Sequence, residues 1–130
     1  MHTIVKVCLI LAGVIHLLPA VGVLGAERLQ ALYGVTLTDP SLVLLMRHRA
    51  LLFAMLGAFL VAAAWLPALR SAAFALGLFS VLSFLVLAWF NTSYNAKIAH
   101  VVLADVLALA LLGLGALAHV RAERDQYMRS

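Results

Sequence analysis

Six ionisable side chains lie within stretches of the sequence that are otherwise apolar. They comprise three histidines, two arginines and one aspartate: His16, Arg47, His48, Arg49, His100 and Asp105. A charged side chain in the hydrocarbon region of a membrane costs at least about 2.5–3.5 kcal/mol, so such groups normally face the interior of a helix bundle and often have a function. These residues are therefore the candidate site residues of the chain.

Two kinds of chemistry fit this set. Asp105 can form a bidentate ion pair with Arg47 or Arg49, because a guanidinium and a carboxylate satisfy each other's hydrogen bonds. The two arginines are about 200° apart on a helix, so one of them must reach for the interface or meet an anion, and His48 points in a third direction. A structural ion pair and a binding site for an anionic or polar ligand, with His16 beside the charges, both remain open.

Metal and haem chemistry fit the residues less well. His16 together with His48 or His100 could ligate a haem iron from facing helices, but no pair of histidines on one helix recurs on a second helix. His100 and Asp105 are about 140° apart around a helix, and the sequence contains no His-x-x-x-His pair. We therefore predict no metal site and no cofactor, with a quinone- or haem-linked redox component as the alternative function.

The composition predicts that lipid surrounds the chain. Of its 130 residues, 66% are hydrophobic and 11% are charged, whereas soluble domains have about 45–50% and about 25%. The length predicts a single domain over residues 1–130. Lys and Arg are scattered rather than gathered in a stripe, which argues against nucleic acid as a partner. Cys8 is the only cysteine, so an intrachain disulfide is excluded.

Four apolar runs have the length of membrane spans, for which roughly 20 residues are needed. They cover about residues 4–24, 41–66, 71–90 and 98–119. Asp39 is a suitable N-cap for the second run and Pro40 fits its first helical position. Residues 26–33 have one apolar side, which predicts a short helix in the membrane interface. The predicted fold is all-α, a four-helix transmembrane bundle with this short interfacial helix between the first and second spans.

Helix geometry places the polar residues in one layer. At about 1.5 Å per residue, His16, Arg47 and Asp105 lie about 9–12 Å below the outer ends of their helices. Pro19 is expected to kink the first helix next to His16. The third span carries none of these residues and is predicted to be apolar packing.

Small residues at every fourth position predict close contacts between helices. On the second run they are Ala50, Ala54, Ala58 and Ala62, broadened by Gly57, and on the third run Ala73 and Gly77. The tight turn between these two runs predicts that they are antiparallel neighbours.

Basic residues near the ends of the spans indicate the orientation. One side carries Lys6, Arg70, Arg121, Arg124 and Arg129, and the opposite side Arg28 and Lys97. This bias predicts that both termini are cytoplasmic, and that the connections over residues 25–38 and 91–97 face outward.

Two segments resemble a known family. Residues 13–19 (GVIHLLP), and residues 47–53 (RHRALLF) with the small residues through Gly57, resemble the small four-helix bacterial membrane proteins grouped as DoxX-like. The resemblance implies a bundle in the bacterial inner membrane, in a family of which some members have quinone- or thiol-linked redox partners.

The sequence also resembles proteins that carry the name phosphopantetheine adenylyltransferase. That enzyme is a soluble α/β nucleotidyltransferase whose nucleotide site uses a Gly-His pair at the start of a helix. The present chain has no Gly-His dipeptide and no βαβ pattern, so its sequence argues against that activity. The expected function is that of a non-enzymatic accessory subunit, or of a binder of a lipid-like or anionic ligand. Its partners would be the lipid bilayer and a membrane protein or a second copy of the chain.

Overall fold

A computed structural model describes residues 2–91 and 93–128 of the chain. Thr92 of the predicted outward connection and Arg129 of the topology argument lie outside these residues. The helices are α1 (His2–Leu17), which continues as a 3-10 segment (Leu18–Leu24), α2 (Ala26–Tyr33), α3 (Pro40–Ala63), a 3-10 turn (Pro67–Leu69), α4 (Arg70–Phe90) and α5 (Ala96–Tyr127). The described part of the chain contains no strand. Four of the helical segments are long and apolar enough to cross a membrane, which confirms the predicted fold of a multi-pass bundle.

The structure contains the predicted N-cap of α3 and the predicted short helix α2. The side chain of Asp39 accepts a hydrogen bond of 2.8 Å from the backbone N–H of Ser41, and Pro40 is the first residue of the helix. The short helix α2 covers the predicted residues. It ends at Gly34, whose φ of 66° is a left-handed conformation that favours glycine, and whose N–H donates to the carbonyl of Gln30.

The break at Pro19 is a change of helix type. The α-helical part of the first span ends at Leu17, and the chain continues as a 3-10 helix with Pro19 in its first turn. A 3-10 helix rises about 2.0 Å per residue instead of about 1.5 Å. His16, at the end of the α-helical part, therefore lies deeper below the outer end of its span than an α-helical count gives.

Two of the predicted span ends differ from the structure. Helix α3 ends at Ala63 rather than near residue 66, because the turn towards Pro67 is closed by the Arg70 side chain. This guanidinium is only 5% exposed and donates to the carbonyls of Ala63 at 3.4 Å and Ala64 at 3.0 Å. At the other end of the chain, α5 continues from the predicted end at residue 119 to Tyr127, because the polar residues 121–126 are mostly good helix formers.

Helix α1 lies at the centre of the bundle. It packs against both α3 and α5, while α4 packs chiefly against α5 and also contacts α3. We call the half that contains the helix ends near Val5 and Arg70 the inner half, and the half that contains α2 the outer half. The inner half holds a dense apolar core with fully buried Val5, Leu9, Leu60 and Leu112. Large apolar side chains on the perimeter of the bundle, such as Phe79 and Trp89, are largely exposed, as expected where a helix meets lipid.

A close backbone contact joins Gly13 of α1 to Gly57 of α3. A Cβ atom at Gly57 would lie 2.8 Å from the carbonyl oxygen of Gly13, a distance that real Cβ atoms do not reach. Small residues at every fourth position of α3 were predicted to form the close contact between helices, but of these Ala50 is buried and Ala58 is exposed. The contact with α1 is formed instead by Gly57, which faces Gly13.

Candidate functional site

A cavity of about 210 Å³ lies in the outer half of the bundle, where the end of α1, the 3-10 segment, α2, α3 and α5 meet. Four of the six predicted site residues line it: His16, Arg49, His100 and Asp105. Its walls also include Tyr33, Phe53 and Lys97, and apolar side chains complete the lining. No residue of α4 lines this cavity, in agreement with the prediction that the third span contributes apolar packing.

His16 is the most buried polar side chain of the cavity. It is 3% exposed, and its ring lies 5.9 Å from that of Phe53, measured between centroids. Its Nδ1 atom is 2.8 Å from the carbonyl oxygen of Ala12, one turn earlier in α1. Its Nε2 atom is buried and has no hydrogen-bond partner among the described residues. A buried nitrogen without a partner is costly to keep in a folded protein, and such an atom calls for an explanation.

Arg49 is half-buried and surrounded by aromatic rings. Its Nη1 donates to the Tyr33 hydroxyl at 3.1 Å, and its guanidinium carbon lies 4.8 Å from the centre of the Phe53 ring and 5.4 Å from that of Tyr33. Cation–π contacts of this kind stabilise a partly desolvated guanidinium. The ring of Phe84 in α4 is a third neighbour, at 5.9 Å. The remaining N–H groups of Arg49 have no hydrogen-bond acceptor among the described residues, so they are available to a ligand.

Asp105 faces the cavity without a direct partner. It is 8% exposed, and no arginine nitrogen of the described chain lies within 4 Å of its carboxylate, although the charge of Arg49 acts on it electrostatically. The predicted ion pair is therefore not formed, either with Arg49 or with Arg47. The physical reason is that α1 packs between α3 and α5, and that Arg49 is already held by Tyr33 and Phe53.

Arg47 and His48 lie outside the cavity and are exposed. Arg47 Nε donates to the carbonyl oxygen of Val23 at 2.7 Å, so this arginine satisfies a backbone group of the 3-10 segment. The expected divergence of Arg47 and Arg49 on the helix is confirmed: one arginine enters the cavity and the other does not.

His100 lies at the exposed side of the cavity. Its Nδ1 is 2.8 Å from the carbonyl oxygen of Ala96, one turn earlier in α5, so it repeats the arrangement of His16. The two histidines therefore contact the cavity from different helices with the same ring orientation relative to their own backbone.

Three further polar residues belong to the surroundings of the cavity, and little in the sequence indicated this. Tyr33 ends the predicted interfacial helix, Lys97 served as an orientation charge, and Asn95 lies in the predicted connection over residues 91–97. Lys97 Nζ donates to the Ala31 carbonyl at 2.6 Å. Asn95 Oδ1 caps α5 by accepting from the N–H of Ile98 at 2.9 Å, and its Nδ2 donates to the Tyr33 carbonyl at 2.9 Å. The N-cap preference of asparagine before a helical run was the available signal.

A second polar cluster joins α4 and α5 at the opposite end of the bundle. His119 Nε2 is 3.0 Å from Ser71 Oγ and 3.5 Å from Glu123 Oε1. In a hydrolytic triad the serine and the acid contact opposite nitrogens of the imidazole. Here both contact the same nitrogen, so the cluster has the residue types of a triad without its geometry.

The cavity is small for a cofactor. Ligand and cofactor sites usually measure about 300–1,000 Å³, so a space of about 210 Å³ does not fit a haem macrocycle. Within the described residues no group of three His, Cys, Asp or Glu side chains is close enough to hold a metal ion.

No protein-family model, no curated protein and no solved structure matches the chain.

Proposed function

We propose that the protein is a non-enzymatic binding module of a membrane, which holds the polar head of an amphiphilic, anionic ligand in the cavity lined by His16, Arg49 and Asp105. The unpartnered Nε2 atom of His16 carries this proposal. A membrane protein gains nothing in stability from a buried polar atom without a partner. A ligand atom that forms a hydrogen bond with Nε2 would explain why a histidine is buried at this position.

The surroundings of His16 support the same conclusion. Arg49 brings a charge with free N–H groups to the cavity, and Tyr33 and Phe53 hold that charge in place. Arginine is well suited to bind carboxylate and phosphate oxygens through two parallel hydrogen bonds. The cavity lies at the outer end of helices with exposed apolar sides, so a ligand dissolved in the bilayer could reach it from the membrane.

The cellular setting of the proposal comes from the sequence. The resemblance to DoxX-like bundles favours the bacterial inner membrane, and the distribution of Lys and Arg favours cytoplasmic termini. In that orientation the cavity would lie in the outer half of the membrane. An accessory subunit of this kind would present its bound ligand to a membrane protein partner or to a second copy of the chain.

Lipid analysis of the purified protein tests the proposal. Wild-type protein and the variants His16→Leu, Arg49→Gln and His48→Leu are purified in the same detergent, and each is extracted for mass spectrometry. We expect an acidic amphiphile to accompany the wild type and His48→Leu, whose residue 48 lies outside the cavity, and to fall at least fivefold in the other two variants. Equal amounts in all four proteins would contradict the proposal.

The His16→Leu variant also separates binding from folding. Leucine fills a similar volume and removes the unsatisfied nitrogen, so the thermal stability of this variant should equal or exceed that of wild-type protein from which the ligand has been removed. A variant that is less stable than the ligand-free wild type would indicate a structural role for His16. A Soret band in the visible spectrum, or a quinone in the extract that depends on His16, would favour the redox alternative.

A further inference from the structure

The two histidines of the cavity present hydrogen-bond acceptors. A backbone carbonyl can only accept a hydrogen bond, so the Nδ1 atoms of His16 and His100 must carry the proton that they share with Ala12 and Ala96. In the neutral imidazole the other nitrogen, Nε2, then has a free lone pair. The carboxylate of Asp105 is also an acceptor, and no described residue donates a hydrogen bond to it. These unsatisfied acceptors favour a ligand that donates hydrogen bonds.

The charges of the residues that line the cavity favour an anionic ligand. Arg49 and Lys97 are cations and Asp105 is the only acid among the lining residues, so the lining has a net positive charge when the histidines are neutral. Lys97 already donates to Ala31 and Arg49 to Tyr33, but each retains further N–H groups. A head group with one anionic oxygen group and at least one hydroxyl satisfies both requirements.

The size of the cavity limits it to the head of a ligand. Its volume of about 210 Å³ is below the usual range of ligand sites of about 300–1,000 Å³. A second space of about 410 Å³ adjoins it and shares the wall residues Tyr33, Arg49 and Val101. The second space therefore offers room for the rest of a larger ligand next to the contact between Tyr33 and Arg49.

This second space is an apolar groove. Apart from the three shared residues and Thr36, its lining consists of Val35, Leu37, Leu42, Met46, Phe84 and Ile98. It reaches the surface of the bundle at Leu42, which is 43% exposed. Such a lining suits a hydrocarbon chain, because its apolar side chains pack against CH₂ groups and leave no polar group unpaired. An acyl chain attached to the head group is the occupant favoured by an apolar groove that shares the wall residues Tyr33, Arg49 and Val101 with the cavity.

We infer that the ligand is a single-chain amphiphile whose head carries both an anionic oxygen group and a hydroxyl, with the head in the cavity and the chain in the groove. This inference rests on the proposed function. The hydroxyl donates to His16 Nε2 or to the Asp105 carboxylate, and the anionic group accepts from Arg49. Hydroxylated fatty acids and lysophospholipids with a glycerol head share this chemistry.

Matched compounds of equal chain length test the head group. 3-Hydroxydodecanoate, dodecanoate, dodecane-1,2-diol and dodecanoyl lysophosphatidylglycerol are titrated into the protein in phosphatidylcholine nanodiscs, and bound molecules are counted by native mass spectrometry. We expect 3-hydroxydodecanoate or the lysophospholipid to bind at least tenfold more tightly than dodecanoate and the diol. The tighter of the two identifies the source of the head group. Equal affinities for all four compounds would overturn the inference.

Two variants assign the parts of the head to residues. His16→Leu should abolish the preference for 3-hydroxydodecanoate over dodecanoate. Arg49→Gln should abolish the preference for either carboxylate over the diol. Retention of both preferences in both variants would overturn the assignment of the head to this cavity.

A chain-length series tests the groove. In the wild type, the affinity for 3-hydroxy acids, measured relative to their partition into empty nanodiscs, should rise between six and twelve carbons. Met46→Trp places a large side chain in the groove and should remove most of this rise, whereas Met55→Trp, on the exposed side of the same helix, should preserve it. An equal rise in both variants would overturn the placement of the chain.

Failure of this inference and failure of the proposed function are distinguishable. If extraction shows a ligand that depends on His16 and Arg49, but the hydroxyl and the chain length have no effect, the binding module stands and the assigned ligand class is wrong. If no ligand depends on the two residues, the proposed function fails as well.

Discussion

The outer and inner halves of the bundle contain the same helices but differ in how those helices meet. In the inner half, α1, α3, α4 and α5 bury Leu9, Leu60, Phe74 and Leu112 against one another. In the outer half, the 3-10 segment and α2 take the place of regular α1, and the helices enclose a cavity. A membrane bundle therefore can keep polar groups away from lipid without pairing them, provided that a tightly packed half holds the helices together.

The difference begins at the pair Gly13 and Gly57. Here the backbones of α1 and α3 approach so closely that neither position has room for a Cβ atom. Three residues beyond Gly13, His16 occupies the end of the regular α-helix, and the chain then changes to the 3-10 form. The same two helices thus change from direct backbone contact to an enclosed space within about one helical turn.

The largest expected effect on stability comes from the packed contact. Gly57→Ala should lower the free energy of unfolding by about 3 kcal/mol, because the new methyl group would meet backbone atoms of Gly13 and Leu17 that cannot move aside. Thermal unfolding in detergent measures the change. Gly113→Ala is the matched control, since no other atom lies within 4 Å of the position that its Cβ would take and alanine is the better helix former. Equal stabilities of the two variants would contradict the conclusion that tight packing at Gly13 and Gly57 holds the bundle together.

A smaller loss is expected at the inner end of the bundle. Arg70→Ala should lower the free energy of unfolding by about 2 kcal/mol, because two buried carbonyls, of Ala63 and Ala64, lose a charged donor. The exposed Arg121 is the control, and Arg121→Ala should have little effect. The measurement is again thermal unfolding in detergent. An Arg70→Ala variant as stable as Arg121→Ala would mean that this cap does not contribute to the packed half.

The smallest effect is expected at the outer end. Asn95→Asp keeps the acceptor that caps α5 but removes the donor to the Tyr33 carbonyl, which should cost about 1 kcal/mol. Hydrogen exchange should become faster in α2, while the amides of the inner core remain unchanged. Asn91→Asp, which changes an exposed residue of the same connection, is the control. Faster exchange throughout the bundle would show that the two halves unfold as one unit.

Much of the fold was predictable because local signals agree with each other. Apolar length indicated the four membrane helices, the Asp39-Pro40 pair indicated the start of α3, and helical spacing indicated α2. Each of these signals acts over one or two helical turns, so no tertiary contact was needed to interpret it. The ends of α3 and α5 were less accurate, because an apolar run does not coincide with a helix where a buried arginine or a polar helix former decides the boundary.

The candidate site was predictable in its residue types and only partly in its arrangement. Counting along the helices brought His16 and Asp105 to a common level, and both line the cavity. The angle between Arg47 and Arg49 predicted that only one could enter, but not which one. Tyr33 and Phe53 decided this by holding the guanidinium of Arg49.

The sequence by itself determined that this chain forms apolar helices of membrane length, and that a few ionisable residues must be shielded within them. Both conclusions follow from short stretches of sequence, because polar groups exposed to lipid carry a large free-energy penalty. Only the tertiary structure decided that Asp105 and Arg49 remain unpaired across a cavity, because their separation depends on α1 packing between α3 and α5. Helix order and rotation arise from many distant contacts at once, among them the meeting of Gly13 with Gly57, and no single stretch of sequence encodes them.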